Sequence, residues 1–554
     1  MTSLTRRTLL KSAVAARVAM AIPHVATAQT TTLLRYDLAS PKGQEMLVIY
    51  ADAVRAMEAL GPENPMGWLW HWYTHFVDSR TTKADEITRI FGDTPSPLRT
   101  LAEEMWNTCQ SHAGQNPNHF LPWHRIYVYY FERICREVTG RADFTLPFWD
   151  YTSTDPAKCG IVPVEFRSPG DPVFDCLYRA ERSELANTGE PLHKNQPTNV
   201  MDIDDIMRKT AYSSAGSVMG FCRSVDSGIH GRLHVLIGNR LGMGTVPYSG
   251  RDPLFWVHHS NIDRMWASWN RYGGKNPSGT TWGQTYFVFA DANGVRRRRK
   301  LSDFFGVLAN GYTYDTFIPK PVDPPADPDP VATVAAPPGA TLAAGAMLAA
   351  AAVPGDGNDS RGTERREPVD TKRRAATVGG LLAAAVSADV AAASKAEEVV
   401  ARGGNAVKLG GLSGASVDLL PAAGTRATRV LGLDPSHPTK RTYLVLKDLH
   451  AWSQPEVLFH VYLRPGNGAG KLDKATYAGN INFFDAEFHD HGNGALGDAL
   501  GENFYSFDVT EILRDMGRKN LPAASSSLRV TIVPAGIPTN GSEPLVATIA
   551  LVRQ

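Results

Sequence analysis

The chain has 554 residues, 57 Lys and Arg against 56 Asp and Glu, a formal net charge of +1, and 43% hydrophobic residues. That length exceeds what one hydrophobic core serves and implies two or three domains. The even charge balance gives no reason to expect nucleic acid or an anionic membrane surface as a partner. Five cysteines are too few for a disulfide scaffold and odd in number; Cys159 and Cys176, flanking a Pro/Gly-rich loop, are a plausible pair in an oxidising compartment.

At the N-terminus, Arg6 and Arg7 form a twin-arginine pattern, followed by a mildly apolar run and a small-residue site at Ala26-Thr27-Ala28. Residues 1–28 therefore read as a twin-arginine export signal, which predicts a periplasmic or secreted protein and no membrane partner in the mature form. That route carries folded proteins, so a cofactor would be taken up before export.

From 29 to 319 the sequence is dense in aromatics and helical patterns. Helices are expected over 47–60, 68–77, 98–109, 119–139 (stopped by Gly140), 201–209 and 231–236. A further one opens at Asp252-Pro253, an N-cap followed by a proline in the first turn. Long Pro/Gly-rich loops between them suit a mainly α bundle whose loops shape a pocket. Residues 320–414 begin Pro-rich and continue Ala/Gly-rich, a linker that buries little and invites proteolysis; a weak helical pattern runs over 381–401. From 415 to 554 short alternating runs between Gly, Pro and Asn turns predict a separate all-β domain, a sandwich or jelly roll.

Ten of the sixteen histidines lie between His71 and His259. Setting aside the lone His193, one group holds His71, His75, His112, His119 and His124; the other holds His230, His234, His258 and His259. The four-residue spacing of His230 and His234 aims both rings off one helix face, and a ring from the neighbouring helix completes a three-imidazole set. The residues between them, Gly-Arg-Leu, lack the glutamate a zinc hydrolase uses as base, and no Glu-x-x-His pair suggests di-iron. Two three-histidine sets without carboxylate ligands point most directly to a pair of copper ions.

HFLPWHRIYVYYFE (119–132) and DPLFWVHHSNIDRMW (252–266) resemble the copper-binding signatures of tyrosinases, catechol oxidases (polyphenol oxidases) and molluscan haemocyanins. The β-domain behind a linker, with Phe507-Asp508-Val509 in it, is similar to plant-type polyphenol oxidases. So is Gly311-Tyr312-Thr313-Tyr314, with Arg35 a candidate partner. The resemblance implies a four-helix bundle around a dicopper site. It implies His75, His112 and His124 on the first copper, with His119 as a competitor for the second position and His71 a non-ligand. His230, His234 and His259 fall on the second copper, with His258 behind them, while Asp263 and Arg264 orient the helix. The spacing of His112 to His124 is three residues longer than usual. Cys109 falls where some relatives crosslink a cysteine to the second histidine, one residue further away than in fungal examples; a plain buried thiol is the preferred reading.

The same resemblance implies that O2 oxidises o-diphenols to o-quinones, with O2 and small phenols as partners. Phe255 is a candidate wall for the substrate ring, or simply core. Asp226 stands where relatives carry a carboxylate that holds a water for monophenol deprotonation. Gly231 stands where efficient monophenolases often carry Asn. Strong diphenolase and weak monophenolase activity follow as the expectation. In relatives the β-domain covers the pocket in cis with an inserted side chain, so a latent proenzyme is expected. The rival reading is a haemocyanin-like reversible O2 carrier.

Overall fold

The computed structural model describes residues 32–110, 116–322, 397–425, 430, 440–466, 471–487, 503–518 and 527–554. The expected export signal, His112, most of the linker, and His489 and His491 lie outside the described residues.

The first domain is helical. Its long helices are α1 (Pro41–Glu58), α2 (Trp68–His75), α3 (Lys83–Phe91), α4 (Pro97–Met105) and α5 (Phe120–Thr139). Short helices α6 (Glu184–Thr188), α7 (Asp204–Met207) and α8 (Phe221–Arg223) precede α9 (Gly231–Ile237), α10 (Val246–Ser249) and α11 (Pro253–Arg271). Local chemistry sets the ends. Ser40 caps α1, accepting from the Gly43 N–H, and Gly140 ends α5 in the left-handed region. Asp252 caps α11 through the Leu254 N–H, and Arg182 grips the same carboxylate at 2.6 and 2.8 Å. That double use fixes where α11 starts, and hence where its histidines point. None of the described helices is long and apolar enough to cross a membrane.

Two short strand pairings staple this domain: β1 (Leu33–Arg35) runs parallel to β4 (Tyr312–Tyr314), and β2 (Tyr286–Ala290) pairs with β3 (Arg296–Lys300). The first pairing delivers Arg35 into a buried charge cluster. Its guanidinium donates to Glu132 at 2.8 Å, Asp263 at 3.0 Å and the Tyr314 hydroxyl at 3.1 Å, and lies 4.0 Å over the Tyr312 ring. Asp263 also accepts from Arg125, from Tyr312 at 2.7 Å and from Tyr314 at 2.5 Å. Burial alone would raise the Asp263 carboxyl, but Arg125 and Arg35 outweigh it and hold it below the usual aspartate range. The expected link between Arg35 and the tyrosine motif is present, and Asp263 ties α11 to both.

Among the described residues the second domain is mainly β, with a helix at Thr510–Arg518 and a 3-10 turn at Phe484–Ala486. Its strands are β5 (Glu398–Gly403), β6 (Val407–Lys408), β7 (Ala415–Pro421), β8 (Thr442–His450), β9 (Phe459–Pro465), β10 (Tyr477–Ile481), β11 (Phe504–Asp508), β12 (Leu528–Pro534) and β13 (Leu545–Arg553). They form one sheet in the order β10-β9-β12-β7-β5-β13-β8-β11, with β6 beside β13. The two ends of that order meet, Gly479 on β10 lying against Phe507 on β11. The separate all-β domain expected is present, its strands forming a nearly closed sheet. The domain also begins at Glu398, not at 415. Residues 398–401, the end of the weak helical pattern, fall in the strand β5 because pairing with β7 and β13 overrides local propensity.

All five cysteines are free, so the Cys159–Cys176 pairing is not formed. Cys159 is buried, while the Cys176 thiol lies against the Ala51 carbonyl of α1, 3.4 Å away.

Candidate metal centre

Five of the six expected ligands lie among the described residues, and the fold brings all five together. His75 ends α2, and His124 sits in the first turns of α5. His230 closes a π-helical segment, Ser224–His230, kinked at Gly228, and His234 follows in α9. His259 lies on α11. Each ring is at least 98% buried. Within the first half, the His75 and His124 rings are 6.0 Å apart. Within the second, His230 lies 4.5 Å from His234 and 5.1 Å from His259. The halves meet where His124 and His259 stack at 4.4 Å, their planes 11° apart.

Backbone carbonyls fix which nitrogen faces inward. His124 Nδ1 meets the Phe120 carbonyl at 2.9 Å, His230 Nδ1 the Asp226 carbonyl at 3.2 Å, and His234 Nδ1 the Met243 carbonyl at 2.8 Å. Each bond leaves Nε2 to the cavity. Among the described residues, His230 Nε2, His234 Nε2 and both His259 nitrogens are buried without a hydrogen-bond partner. Leaving that many polar atoms unsatisfied is costly unless a metal takes them. Burial pushes His75 down to about 3 and holds His124, His234 and His259 well below the ordinary imidazole value. They are neutral at pH 7, the form in which imidazole binds a metal. The donor set fits a pair of copper ions, one of which His75 and His124 could hold and the other His230, His234 and His259.

Of the remaining candidates, His71 and His119 lie apart from these groups, while His258 and Cys109 lie within them. His71, one turn before His75, packs among Tyr127, Phe131 and Trp256, away from the ligand rings. His119 precedes α5, its Nδ1 bound to Gln110 at 2.9 Å and its ring near Trp282 and Phe287. His258 stacks on His230 at 5.6 Å, with its Nδ1/Nε2 atoms near those of the second half. Cys109 Sγ is 3.5 Å from His124 Nε2, and His75, Cys109 and His124 bring donor atoms within 4.8 Å of one another.

Asp226 is buried beside His230, its carboxylate 3.5 Å from Nδ1 and 3.6 Å from Arg223. Phe255 is fully buried, 4.2 Å from His259, 5.0 Å from His75 and 6.2 Å from Tyr127. Its ring packs in the hydrophobic core against two of the expected ligand rings.

The ring lying flat on a ligand belongs instead to the β-domain. Phe484 stacks on His234 at 4.1 Å, planes 10° apart, and stands edge-on to His230 at 5.6 Å. With Leu458 it is buried in the same hydrophobic cluster as the helical domain. Around it, Asn482 donates to the Ser227 carbonyl at 2.8 Å, the Tyr505 hydroxyl to that carbonyl at 3.0 Å, and Arg223 to Asn503 at 2.9 Å. Further out, Glu487 accepts from Thr245 at 2.9 Å and Glu456 from the Arg240 N–H at 2.7 Å. Sequence reasoning expected an inserted side chain but did not name one. Phe483-Phe484 after a strand was the available signal, indistinguishable from ordinary core.

A helical domain with two facing imidazole sets, capped by a β-domain, defines a dinuclear metal protein of the all-histidine kind. Residues 72–175 and 175–272 match the family model described as the common central domain of tyrosinase. The tyrosinase HcTyr1 of Hahella sp. (strain CCB-MM4) is 31% identical over 296 residues, covering 49% of this chain and 60% of that one. The chloroplastic polyphenol oxidase of Malus domestica is 30% identical over 227 residues, 36% of this chain and 38% of that one. The matches thus span between about four-tenths and six-tenths of these relatives' lengths. The structure of latent apple tyrosinase superposes with a TM-score of 0.55 at 18% identity, covering 95% of this chain and 98% of that one. Recombinant latent aurone synthase gives 0.55 at 18% identity, over 95% and 89%. Residues 72–272 thus match the common central domain of tyrosinase, and the chain as a whole shares the fold of latent tyrosinase, a helical domain followed by a C-terminal β-domain.

Proposed function

We propose that the protein is a copper-dependent oxidase that uses O2 to turn o-diphenols into o-quinones, with weak hydroxylation of monophenols, and that the intact chain is latent. The observation that carries the catalytic part is the stack of His124 on His259, which sets two imidazole sets face to face. A bound copper pair supplies the two-electron exchange with O2 that one ion alone does not. The chain's own residues do the rest. The carbonyls of Phe120, Asp226 and Met243 keep three ligand tautomers fixed, so no imidazole has to reorient during turnover. The apolar ring wall excludes water and accepts a flat phenol. Asp226, against His230, is the residue proposed to hold a water for the incoming monophenol. Gly231 offers no side chain to orient that water.

Phe484 supports the latent state. A planar ring lying parallel to His234 occupies the position a phenol ring would take. Export by the twin-arginine route through Arg6 and Arg7, giving a periplasmic or secreted enzyme, completes the proposal. Replacing both arginines by Lys should keep active protein in the cytoplasm.

The test is oxygen uptake with a monophenol and its matching o-diphenol, before and after limited proteolysis in the linker. The diphenol should be oxidised at once and the monophenol slowly and after a lag, both faster after cleavage. Reversible O2 binding without quinone formation would instead establish the carrier reading. Equal, lag-free rates on both substrates would remove the assignment of weak monophenolase activity.

A further inference from the structure

Gly231, directly after His230, has ordinary right-handed helical angles of φ −61° and ψ −37°. Glycine is therefore not there for its backbone freedom, and alanine would adopt the same conformation without strain. What the site lacks is room. A Cβ on residue 231 would stand 2.6 Å from Asn482 Oδ1, 2.9 Å from Nδ2 and 3.1 Å from Cγ. Real side chains do not approach so closely, so something must move.

Asn482 is poorly able to move. Its side chain is short and buried, and both amide atoms are engaged. Nδ2 donates to the Ser227 carbonyl at 2.8 Å, across the domain boundary, while Oδ1 accepts the Phe484 N–H at 3.1 Å. Its own backbone N–H reaches the Tyr505 hydroxyl at 3.2 Å, which in turn donates to Ser227 at 3.0 Å. Displacing the amide thus breaks the bond to the helical domain and disturbs the turn that aims Phe484 at His234. The two residues are separated by one position, so the shift is passed on directly.

We infer that the bare backbone at Gly231 is the seat the β-domain reads: Asn482 docks there only because position 231 has no side chain, and that contact sets the register in which Phe484 covers His234. The inference rests on the latent reading proposed above and goes beyond it by naming the contact that decides docking. The covering ring supplies the block, and the glycine–amide contact supplies the fit. Any residue larger than glycine at 231 selects against the closed arrangement, whatever else it does to the phenol.

The experiment compares the intact chain as wild type, Gly231→Ala, Asn482→Ala and the double variant. Hydrogen exchange is read in peptides covering 477–487, and oxygen uptake with an o-diphenol is read before and after linker cleavage. In Gly231→Ala, exchange over 477–487 should rise by at least about tenfold, and the gain on cleavage should shrink towards none. In the Asn482→Ala background the glycine change should add nothing further, because the colliding amide is gone. Gly231→Ser should behave as Gly231→Ala does. Unchanged exchange in Gly231→Ala, or equal increases with and without Asn482, would overturn the inference. Equal oxygen uptake by intact and cleaved wild type would remove the latent reading instead, and exchange would still decide the contact.

Discussion

The two halves of the metal centre are built differently. The first takes His75 from the end of one helix and His124 from the start of another, with Cys109 against them from the loop that leads into the second. The second takes His230, His234 and His259 from a π-helical turn, the helix that continues it and the long α11. Among the described residues, the β-domain's aromatic contacts with ligand rings fall on the second half alone, through Phe484. Among the described residues the first half packs within its own domain, and the second also meets a ring of the β-domain.

The largest effect expected from this contrast comes from removing a ligand. His259→Ala should lose one of two bound coppers and more than about a thousandfold in o-diphenol oxidation, because members of a unit fail together. His71→Ala, a change of the same size in the aromatic pocket beside α2, should keep both coppers. Metal analysis separates the two. Loss of copper in His71→Ala would redraw the first half.

Next comes the closed face. An aromatic stack is worth about 1.4 kcal/mol, or roughly tenfold. Phe484→Ala should therefore raise the intact chain's rate about tenfold while leaving the cleaved enzyme's rate unchanged. An equal rise in both forms would show that Phe484 does not act as a cover.

A third prediction concerns the frame that holds α11 under both halves. Asp263 is buried against two guanidinium groups and two tyrosines, so Asp263→Asn should cost roughly 3 kcal/mol, read as a lower denaturant midpoint. Its carboxyl, like that of Glu132, lies below the unfolded value. Stability from this cluster is therefore fully present above the unfolded carboxylate pKa of about 4 and is lost as pH falls through the folded value. The Asn variant should show a shallower acid loss.

The smallest effect is at Cys109. As a plain thiol it gives five reactive thiols per unfolded chain. Four would indicate the thioether.

Much of the helical half was legible in the sequence because its signals are local. Asp252-Pro253, Gly140 and the spacing of His230 and His234 each act within a turn or two, and the helices formed where they pointed. The histidines were legible as a site because imidazoles are expensive to bury in such numbers. What stayed hidden depended on distant pairing. Residues 398–403 become a strand only when β7 and β13 flank them, and the rolled sheet depends on β10 meeting β11. Phe484 and Asn482 read as ordinary core and turn residues, since their partners lie some 250 positions earlier. The hairpin of β2 and β3 was missed because Arg296–Lys300 lacks the apolar alternation of a strand.

The central claim is that five described imidazoles, with His112, hold a pair of coppers. The most direct measurement is the metal content of the purified full-length chain by mass spectrometry. The account predicts two coppers per chain, falling to one in His259→Ala. A single zinc per chain, or copper that stays at two in His259→Ala, would contradict it.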